Sequence, residues 1–364
     1  MGPELITVLG AGPGLGFYVP GAILTTQLPR AEMLVIEHLL APDKQEIVRR
    51  SRQRFHQELR FALMAQRLAK NIGDQLDPAA VDATLRRWRT EGRRRFAVFS
   101  GFWGPLIERY VREQASERIQ VDLCHVDASD SPSWRLVGER LAGVRDVWFL
   151  RADEARLCYR LDVSGEAPLA WSQRNRRFLI HGGGWGVGTS EERTAFLADR
   201  GVQLDVLCYE RNEVAAQPAS ARRFLLDPDW FPWTVKPGEG LFPPLGTAQP
   251  SGAIAFVSSA AFPAFFHLTR RATAIISKPG AGTLIDSLAA ATPLILLPPC
   301  GEHERQNGLV WKQLGFAISF DDWVANGCRS EPLEPLHHAL MAARLRVPSY
   351  TDHCCDHALE GSSP

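Results

Sequence analysis

The sequence has no excess of charge of either sign and no long hydrophobic run. Its 364 residues carry 41 Lys and Arg against 41 Asp and Glu, and this formal net charge of zero gives no indication of nucleic-acid binding. No apolar run reaches the roughly 20 residues that a helix needs to cross a bilayer. The N-terminus also lacks the basic region of a signal peptide. We therefore expect a cytoplasmic protein with no nucleic-acid partner and no transmembrane segment, for which peripheral membrane contact stays open.

Cysteines are few, and their arrangement does not indicate a disulfide framework. The 7 cysteines are scattered singly apart from Cys354 and Cys355, and an odd number without an export signal favours reduced thiols. Two histidines beside that pair, His353 and His357, have the i, i+4 spacing with which a helix can hold zinc. A disordered polar tail over residues 341–364 is the interpretation that we prefer. We therefore predict no metal site.

Short apolar segments alternate with helical patterns, and this alternation predicts two α/β halves with parallel sheets. A hydrophobic content of 45% and a length of 364 residues suit a globular protein of two domains. The first half contains predicted strands at 5–12, 31–40, 95–104, 119–130 and 146–153, and predicted helices at 43–70 and 77–90. The second half contains predicted strands that begin at 178, 202, 252, 272 and 292, and a predicted helix from about Ser190.

These elements divide the chain into an N-terminal domain at 1–165, a polar linker at 166–177, a C-terminal domain at 178–340 and the tail. The segment 218–250 is rich in proline and aromatic residues without a clear period, so we predict an irregular insertion there. Its stretch DWFPW, at 229–233, either stacks on a sugar or an apolar acceptor or holds a loop to the body of the protein.

The most informative segment is 277–307, SKPGAGTLIDSLAAATPLILLPPCGEHERQN. A buried strand leads into a glycine turn, and a helix with Thr283 as its predicted N-cap follows. Free amides and the dipole at such a helix start favour an anion, for example a diphosphate. Gly280 and Gly282 allow the ligand to approach the backbone closely. Asp286, about one turn into the helix, either accepts hydrogen bonds from a ribose diol or completes a cap similar to a capping box, and the spacing leaves both readings open.

A cluster of polar residues follows the next strand. Ligands of such sheets bind outside the carboxyl ends of the strands, so this cluster is expected beside the same crevice. Hydrogen bonds to the hydroxyls of a sugar suit Glu304, Arg305, Gln306 and Asn307. The alternative is that these residues cap a helix and form its solvated face.

These segments resemble the GT-B glycosyltransferases, in particular the lipid II-forming N-acetylglucosaminyltransferase group and the galactosyl- and glucosyl-diacylglycerol synthases. The stretch from Ser277 resembles their donor segment SG-x-x-T-x-x-E-x-x-x-x-G-x-P-x-x-x-x-P…D-R-Q-x. Two further stretches, HGGGWGVG at 181–188 and GAGPGLGFYVPG at 10–21, are similar to the Gly-Gly-Ser-x-Gly turn and the N-terminal glycine loop of the family. The loop after the fourth predicted strand, from Leu123, is similar in placement to the family's acceptor-side His-Glu-Gln loop. The resemblance covers most of residues 5–325.

The resemblance implies a GT-B fold, in which two Rossmann-like domains with parallel sheets face one another across a cleft. It implies a bacterial biosynthetic enzyme that moves a hexosyl or N-acetylhexosaminyl group from a nucleotide-diphosphate sugar, such as a UDP-sugar, to a small-molecule or lipid acceptor. Inversion at the anomeric carbon is expected, with no metal and no cofactor, because amides and Lys278 would stabilise the leaving diphosphate. The implied donor-binding residues are Gly183, Gly184, Lys278, Gly280, Gly282, Thr283, Asp286, Glu304, Arg305, Gln306 and Asn307, and the implied acceptor-side residues are Gly14, Gly16, Phe17 and Tyr18.

One position departs from the family. Its N-terminal loop carries a histidine proposed as the acceptor base, whereas Phe17 occupies that place here and cannot take a proton. His125 and Asp127, just past the end of a predicted strand, are the candidate catalytic residues instead. A nucleotide-sugar 2-epimerase or hydrolase of the same fold, and a non-catalytic nucleotide-sugar-binding protein, stay open. An NAD-dependent oxidoreductase with Glu37 at the ribose is a further alternative, although its third required glycine is Leu15.

Overall fold

The N-terminal half is built on a five-stranded parallel sheet. The computed structural model describes residues 4–12, 14–58, 73–137, 142–187, 191–215, 221–236, 238–249 and 251–360. The strands are β1 (Ile6–Gly10), β2 (Ala31–Val35), β3 (Arg95–Val98), β4 (Gln120–His125) and β5 (Val144–Trp148), in the order β2-β1-β3-β4-β5. The helices are α1 (Leu15–Gln27), α2 (Pro42–Gln57), α3 (Pro78–Thr90) and α4 (Gly104–Glu113). The predicted helix 43–70 ends at Gln57, and residues 59–72 lie outside the described residues.

The C-terminal half follows a small hairpin of β6 (Leu150–Arg151) and β7 (Arg156–Leu157). Its strands are β8 (Phe178–Ile180), β9 (Leu204–Cys208), β10 (Ala221–Leu226), β11 (Leu245–Ala248), β12 (Ile254–Val257), β13 (Ala274–Ser277), β14 (Leu294–Leu296) and β15 (Ala317–Ser319), in the order β12-β11-β10-β9-β8-β13-β14-β15. Its helices are α5 (Glu191–Ala198), α6 (Phe266–Arg271), α7 (Ala281–Ala290), α8 (Glu302–Gln313), α9 (Phe320–Ala325), α10 (Glu334–Arg346) and α11 (Tyr350–Glu360).

The prediction of an irregular insertion at 218–250 is wrong, because β10 and β11 lie within it. Strand β10 pairs in parallel with β9, and its charged residues are held by acids: Arg222 donates to the fully buried Asp205, and Arg223 donates to Glu191. These ion pairs let a segment with two adjacent arginines enter the sheet. Strands β11 and β12 are antiparallel to their neighbours, so the second sheet is parallel only from β10 to β15.

The aromatic stretch 229–233 holds its segment against the N-terminal half. Trp233 fills the space beside Gly12, where a Cβ would lie 2.7 Å from its ring. Arg52 of α2 donates to the Trp230 carbonyl at 2.9 Å and stacks over Phe231, 5.0 Å from the ring centroid. Trp230, Phe231 and Trp233 are not among the residues that line the cavity described below. Of the two readings left open by the sequence, the geometry favours the one in which the aromatics secure a loop.

The segment predicted to be a disordered polar tail contains the end of α10 and the whole of α11, so that prediction is also wrong. Helix α11 returns to the N-terminal sheet and inserts Tyr350, which is fully buried, into its core. The Tyr350 hydroxyl donates to Asp122 of β4 at 2.8 Å, and Arg95 of β3 donates to the Cys354 carbonyl at 2.7 Å. The apolar positions Tyr350 and Cys354 lie four residues apart and therefore share one helix face, which packs on the sheet. The side chain of His357 lies outside the described residues.

Candidate active site

A cavity of about 330 Å³ lies between the halves, where loops that follow β1 and β4 meet loops that follow β8 and β13. Loops at the carboxyl ends of parallel strands converge in this way in open α/β sheets, and ligands bind there. The predicted site residues that line the cavity are Gly14, Gly16, Phe17, Asp127, Gly183, Gly184, Lys278, Gly280, Gly282, Thr283, Asp286 and Glu304. Those that are not among its lining residues are Tyr18, His125, Arg305, Gln306 and Asn307.

Helix α7 begins at the cavity, and the amides of its first turn are free of side-chain caps. Gly280 is the N-cap, and no side chain of the described residues caps the helix there. At the other end, Arg174 of the predicted linker donates to the carbonyls of Ala290 and Ala291, both at 2.9 Å. The negative end of the helix dipole is thus compensated by a buried cation, whereas the positive end is open. This arrangement favours an anion in the cavity.

The start of α7 also excludes one of the two readings of Asp286, the capping box. The prediction of Thr283 as N-cap is wrong, because the helix begins at Ala281 and Thr283 is its third residue. Asp286 is the sixth residue, too far along for a capping box. Only 4% of Asp286 is exposed, and its Oδ1 has no hydrogen-bond partner among the described residues. Burial raises the pKa of this carboxyl to about 8, so a polar group that faces the cavity is kept neutral and unpaired.

Lys278 and Glu304 form a buried ion pair at the cavity wall. Lys278 Nζ lies 2.9 Å from Glu304 Oε1, and Glu304 Oε2 accepts the Cys300 N–H at 2.6 Å. The sequence predicted Lys278 as a charge for the diphosphate and Glu304 as an acceptor for sugar hydroxyls. In the structure the two side chains compensate each other, because both are withdrawn from water and each is the other's nearest opposite charge. A ligand in the cavity therefore meets a neutral pair.

The rest of the predicted polar cluster lies elsewhere. Arg305 and Gln306 both donate to Glu302 on the exposed side of α8. Asn307 is fully buried between the halves. Its Nδ2 donates to Asp127 at 2.7 Å, and its Oδ1 accepts the Ala128 N–H at 2.7 Å. With both ends of its amide engaged, Asn307 joins α8 to the loop after β4.

The N-terminal half contributes the start of helix α1. Gly14 is its N-cap, without a side-chain cap among the described residues, and Phe17 and Gly16 lie on its first turn at the cavity. Tyr18 points away from the cavity: it is 1% exposed and its hydroxyl donates to the Leu241 carbonyl at 2.7 Å. A second helix N-terminus therefore reaches the cavity, beside an aromatic side chain that makes this wall apolar.

The glycine turn after β8 closes the cavity against that helix. A Cβ on Gly184 would lie 2.7 Å from the backbone nitrogen of Leu15, so only glycine allows the two halves to touch here. Gly183 has φ of +71°, a left-handed conformation that glycine adopts without strain. Its N–H donates to Nδ1 of His181 at 3.1 Å. Residues 188–190, which complete the predicted turn and begin the predicted helix, lie outside the described residues.

The two catalytic candidates occupy different environments. His125 is 2% exposed and lies between the rings of Trp134 and Trp148, at centroid distances of 4.4 and 4.1 Å. Its Nε2 lies 2.8 Å from Asp146 Oδ1. Asp127, in contrast, lines the cavity, and burial raises the pKa of its carboxyl above the ordinary value. The geometry thus brings Asp127, and not His125, to the cavity.

Glu37, the acid of the dinucleotide alternative, supports the N-terminal glycine loop. It is fully buried, and its Oε2 accepts the Gly12 N–H at 2.9 Å. Burial raises the pKa of Glu37 to about 7. The residue does not line the cavity. Its side chain holds the loop that leads into α1, which does not favour a role at a ribose.

Sequence reasoning missed several residues of the cavity wall. Two are histidines: His181 follows β8, and His303 lies on the first turn of α8. Both lie within segments that the sequence singled out, 181–188 and 277–307, and their position after a strand was the available signal. The apolar wall includes Phe102, Tyr209 and Phe265, which come from loops with no recognisable motif.

Neither a metal-binding cluster nor a membrane-spanning helix is found in the part of the chain that the structure describes. No group of three or more His, Cys, Asp or Glu side chains there is placed to hold a metal ion. No helix there is both long and apolar enough to cross a membrane.

Comparison with known proteins gives structural matches only. No family model and no curated protein matches the sequence. MurG of Acinetobacter baumannii matches with a TM-score of 0.51 and 13% identity, over 98% of this chain and 100% of that one. The Streptomyces sp. SF2575 glycosyltransferase SsfS6, complexed with thymidine diphosphate, matches with a TM-score of 0.55 and 10% identity, over 99% of this chain and 100% of that one. UGT89C1 of Arabidopsis thaliana, complexed with UDP, matches with a TM-score of 0.51 and 12% identity, over 99% of each chain.

These identities are low, so the likeness concerns the fold, and it extends over almost the whole of each chain. The predicted fold class is confirmed. With two α/β halves, their strand ends turned toward a shared cavity, and matches of this extent, the chain has the GT-B fold of glycosyltransferases.

Proposed function

We propose that the protein is a glycosyltransferase that moves a sugar from a nucleoside-diphosphate donor to a hydroxyl-bearing acceptor. The observation that carries this proposal is the open N-terminus of α7 at the cavity, together with Asp286 one and a half turns further along the same helix. The amides suit the diphosphate. The carboxyl group of Asp286, buried without a partner, suits the ribose diol. The complexes of SsfS6 with thymidine diphosphate and of UGT89C1 with UDP support a pyrimidine nucleotide.

The acceptor would approach from the N-terminal half. Phe17 and Phe102 line that side of the cavity, and α1 presents further apolar surface through Leu15 and Val19. Such a wall is suited to the apolar body of an acceptor whose hydroxyl reaches toward the donor. A small aromatic molecule or a lipid headgroup with its chain would both fit this chemistry.

We infer that Asp127 takes the proton of the acceptor. The acceptor oxygen attacks the anomeric carbon while the bond from that carbon to the diphosphate oxygen breaks, and its electron pair leaves with the nucleoside diphosphate. The proton passes to the Asp127 carboxylate. Attack from the face opposite the leaving group inverts the anomeric centre. A raised pKa brings a carboxylate nearer to the working pH, which favours a general base. No metal is required in this scheme, because helix amides stabilise the leaving group.

The test is a transfer assay with UDP- and TDP-sugars and a panel of hydroxyl acceptors, followed by mass spectrometry. In Asp127→Asn, the asparagine oxygen can still accept the hydrogen bond of Asn307, so the fold is kept while the base is lost. Turnover should then fall by about 10²–10⁴-fold, the usual contribution of a general base. Donor affinity, measured by calorimetry, should stay within about twofold.

His125→Gln is the matched control, since it changes the other candidate base. It should keep turnover within severalfold once the folded fraction is corrected for. If His125→Gln loses activity and Asp127→Asn does not, the roles of the two residues are reversed. Binding of nucleotide sugar without transfer to any acceptor or to water would identify a binding protein. Release of free sugar would identify a hydrolase, and a new sugar nucleotide would identify an epimerase.

A further inference from the structure

His181 is a buried histidine at the donor side of the cavity whose outer nitrogen is not used within the protein. The residue is 4% exposed and lines the cavity. Its Nε2 is buried and has no hydrogen-bond partner among the described residues. An unpaired buried polar group is unfavourable unless something else binds it. A ligand of the cavity is the natural partner for this nitrogen.

The protonation state of His181 follows from its inner nitrogen. A backbone amide can only donate, so Nδ1 is the acceptor of the Gly183 N–H at 3.1 Å and carries no proton. Ser277 Oγ lies 3.4 Å from the same nitrogen and can donate to it as well. In the neutral ring the proton is therefore on Nε2, and the free nitrogen is a hydrogen-bond donor. Burial and the nearby Lys278 lower the pKa of His181 to about 4, which keeps the ring neutral at physiological pH.

The position of His181 selects the group that it can bind. Strands β8 and β13 are adjacent and parallel, with Ile180 opposite Ile276, so His181 and Ser277 lie side by side where the strands end. The His181 N–H donates to the Ile276 carbonyl at 3.2 Å, which fixes this register. The chain then runs through Lys278 into the open start of α7. The imidazole thus lies at the same edge of the sheet as the free amides of α7, which favour anionic oxygens.

We propose that His181 is a catalytic residue of the donor site, whose Nε2–H donates a hydrogen bond to a diphosphate oxygen of the bound nucleotide sugar and of the nucleoside diphosphate as it leaves. This inference rests on the proposed function. Diphosphate oxygens only accept, and the free nitrogen only donates. Because Lys278 is paired with Glu304, it offers the diphosphate no uncompensated cation. A neutral hydrogen-bond donor close to the helix N-terminus stabilises the diphosphate instead. The bond strengthens as negative charge develops on the leaving group.

Two substitutions at His181 separate the function of each ring nitrogen. In His181→Asn the side-chain oxygen takes the place of Nδ1 and can accept the Gly183 N–H, while the outer donor is lost. In His181→Gln an N–H donor is placed near the position of Nε2. The exposed His338 of α10, replaced by asparagine, is the matched control for a His→Asn change that leaves the cavity untouched.

Titration calorimetry with UDP and with TDP is the main measurement. His181→Asn should weaken binding of the preferred nucleoside diphosphate by about 10–100-fold, the range for a hydrogen bond to a charged group. The matching nucleoside, uridine or thymidine, followed by saturation-transfer NMR, should bind as in the wild type. His181→Gln should recover part of the diphosphate affinity, and His338→Asn should change nothing. Unchanged affinity in His181→Asn overturns the inference, as does an equal loss for nucleoside and nucleoside diphosphate.

A second measurement needs no variant to fold. In wild-type protein with 15N-labelled histidine, the Nε2 resonance of His181 should report a protonated nitrogen and shift when the nucleoside diphosphate is added. A resonance that stays in place at saturation contradicts the inference. If the wild type binds nucleoside diphosphates but transfers no sugar, the transferase proposal fails and the His181 contact is still decided by binding. If it binds none, both fail.

Discussion

Replacing Asp286 by asparagine is expected to change how the stability of the free protein depends on pH. Burial raises the pKa of this carboxyl from 3.8 to about 8 in the folded chain. The unfolded chain exposes it to water and leaves it near its ordinary value. Burial of this carboxyl group destabilises the free protein at neutral pH. We expect that the group is buried there because it binds a nucleotide.

The sign follows from which state holds the proton. Below about pH 4 the carboxyl is protonated in both states, and its pKa shift has no effect on stability. As the pH rises from there to about 8, the unfolded chain releases the proton and the folded chain keeps it, so stability falls by up to about 1.4 kcal/mol per pH unit. Asparagine does not titrate. The unfolding free energy of Asp286→Asn, relative to wild type, should therefore rise by about 3 kcal/mol between pH 5 and pH 7.5.

The assay is urea unfolding of both proteins at several pH values, without nucleotide. Taking the difference at each pH cancels the constant effect of burying an amide in place of a carboxyl group. Asp229→Asn is the control, because it makes the same change at a side chain that is 76% exposed, and its difference should stay flat. A flat difference for Asp286→Asn as well would show that the folded protein already ionises this group. The affinity of Asp286→Asn for nucleoside diphosphates should fall by about 0.5–1.5 kcal/mol, the usual contribution of a neutral hydrogen bond, because the amide has only one acceptor oxygen for the ribose diol.

Two further predictions concern the contact between the halves and the chemistry. Gly184→Ala should lower the unfolding free energy by about 1–3 kcal/mol, because its Cβ would collide with the backbone of Leu15. Gly282→Ala, where a Cβ meets nothing within 4 Å, should be neutral or stabilising in the same urea titration, and equal losses would contradict the steric argument. Sugar transfer, once detected, should continue in excess EDTA. Activity that disappears and returns with magnesium or manganese would refute the metal-free scheme.

The sequence predicted those parts of the site that local signals specify. The strand, glycine turn and helix around Gly280 could be recognised because strand hydrophobicity and glycine punctuation act within a few residues. The same local signals placed Gly183 and Gly184 at a turn and Asp286 on a helix. The GT-B fold class followed from the resemblance of these segments and from the alternation of strands and helices.

Pairing between distant residues could not be predicted in this way. Lys278 and Glu304 each suit a ligand when considered alone, and only the fold shows that they neutralise each other. Asn307 and Asp127 come from different halves, so their hydrogen bond has no signature in sequence. Strand β10 was hidden by Arg222, whose charge is compensated by Asp205 on the neighbouring strand. In each case, a charge or amide has a partner that is distant in the sequence.

Helix α11 means that the core of the N-terminal half is completed by a segment that follows the whole C-terminal sheet in the chain. Tyr350 and Cys354 belong to the same buried cluster as Val8 of the first strand. During synthesis, β1 to β5 leave the ribosome long before this helix is made, and at roughly 5–20 residues per second the delay is about 10–40 s. Over that interval the sheet exposes the apolar surface that Tyr350 later covers. The nascent N-terminal half therefore has to persist as an incomplete domain until this helix has been made, and it is the state most exposed to aggregation or to chaperone binding.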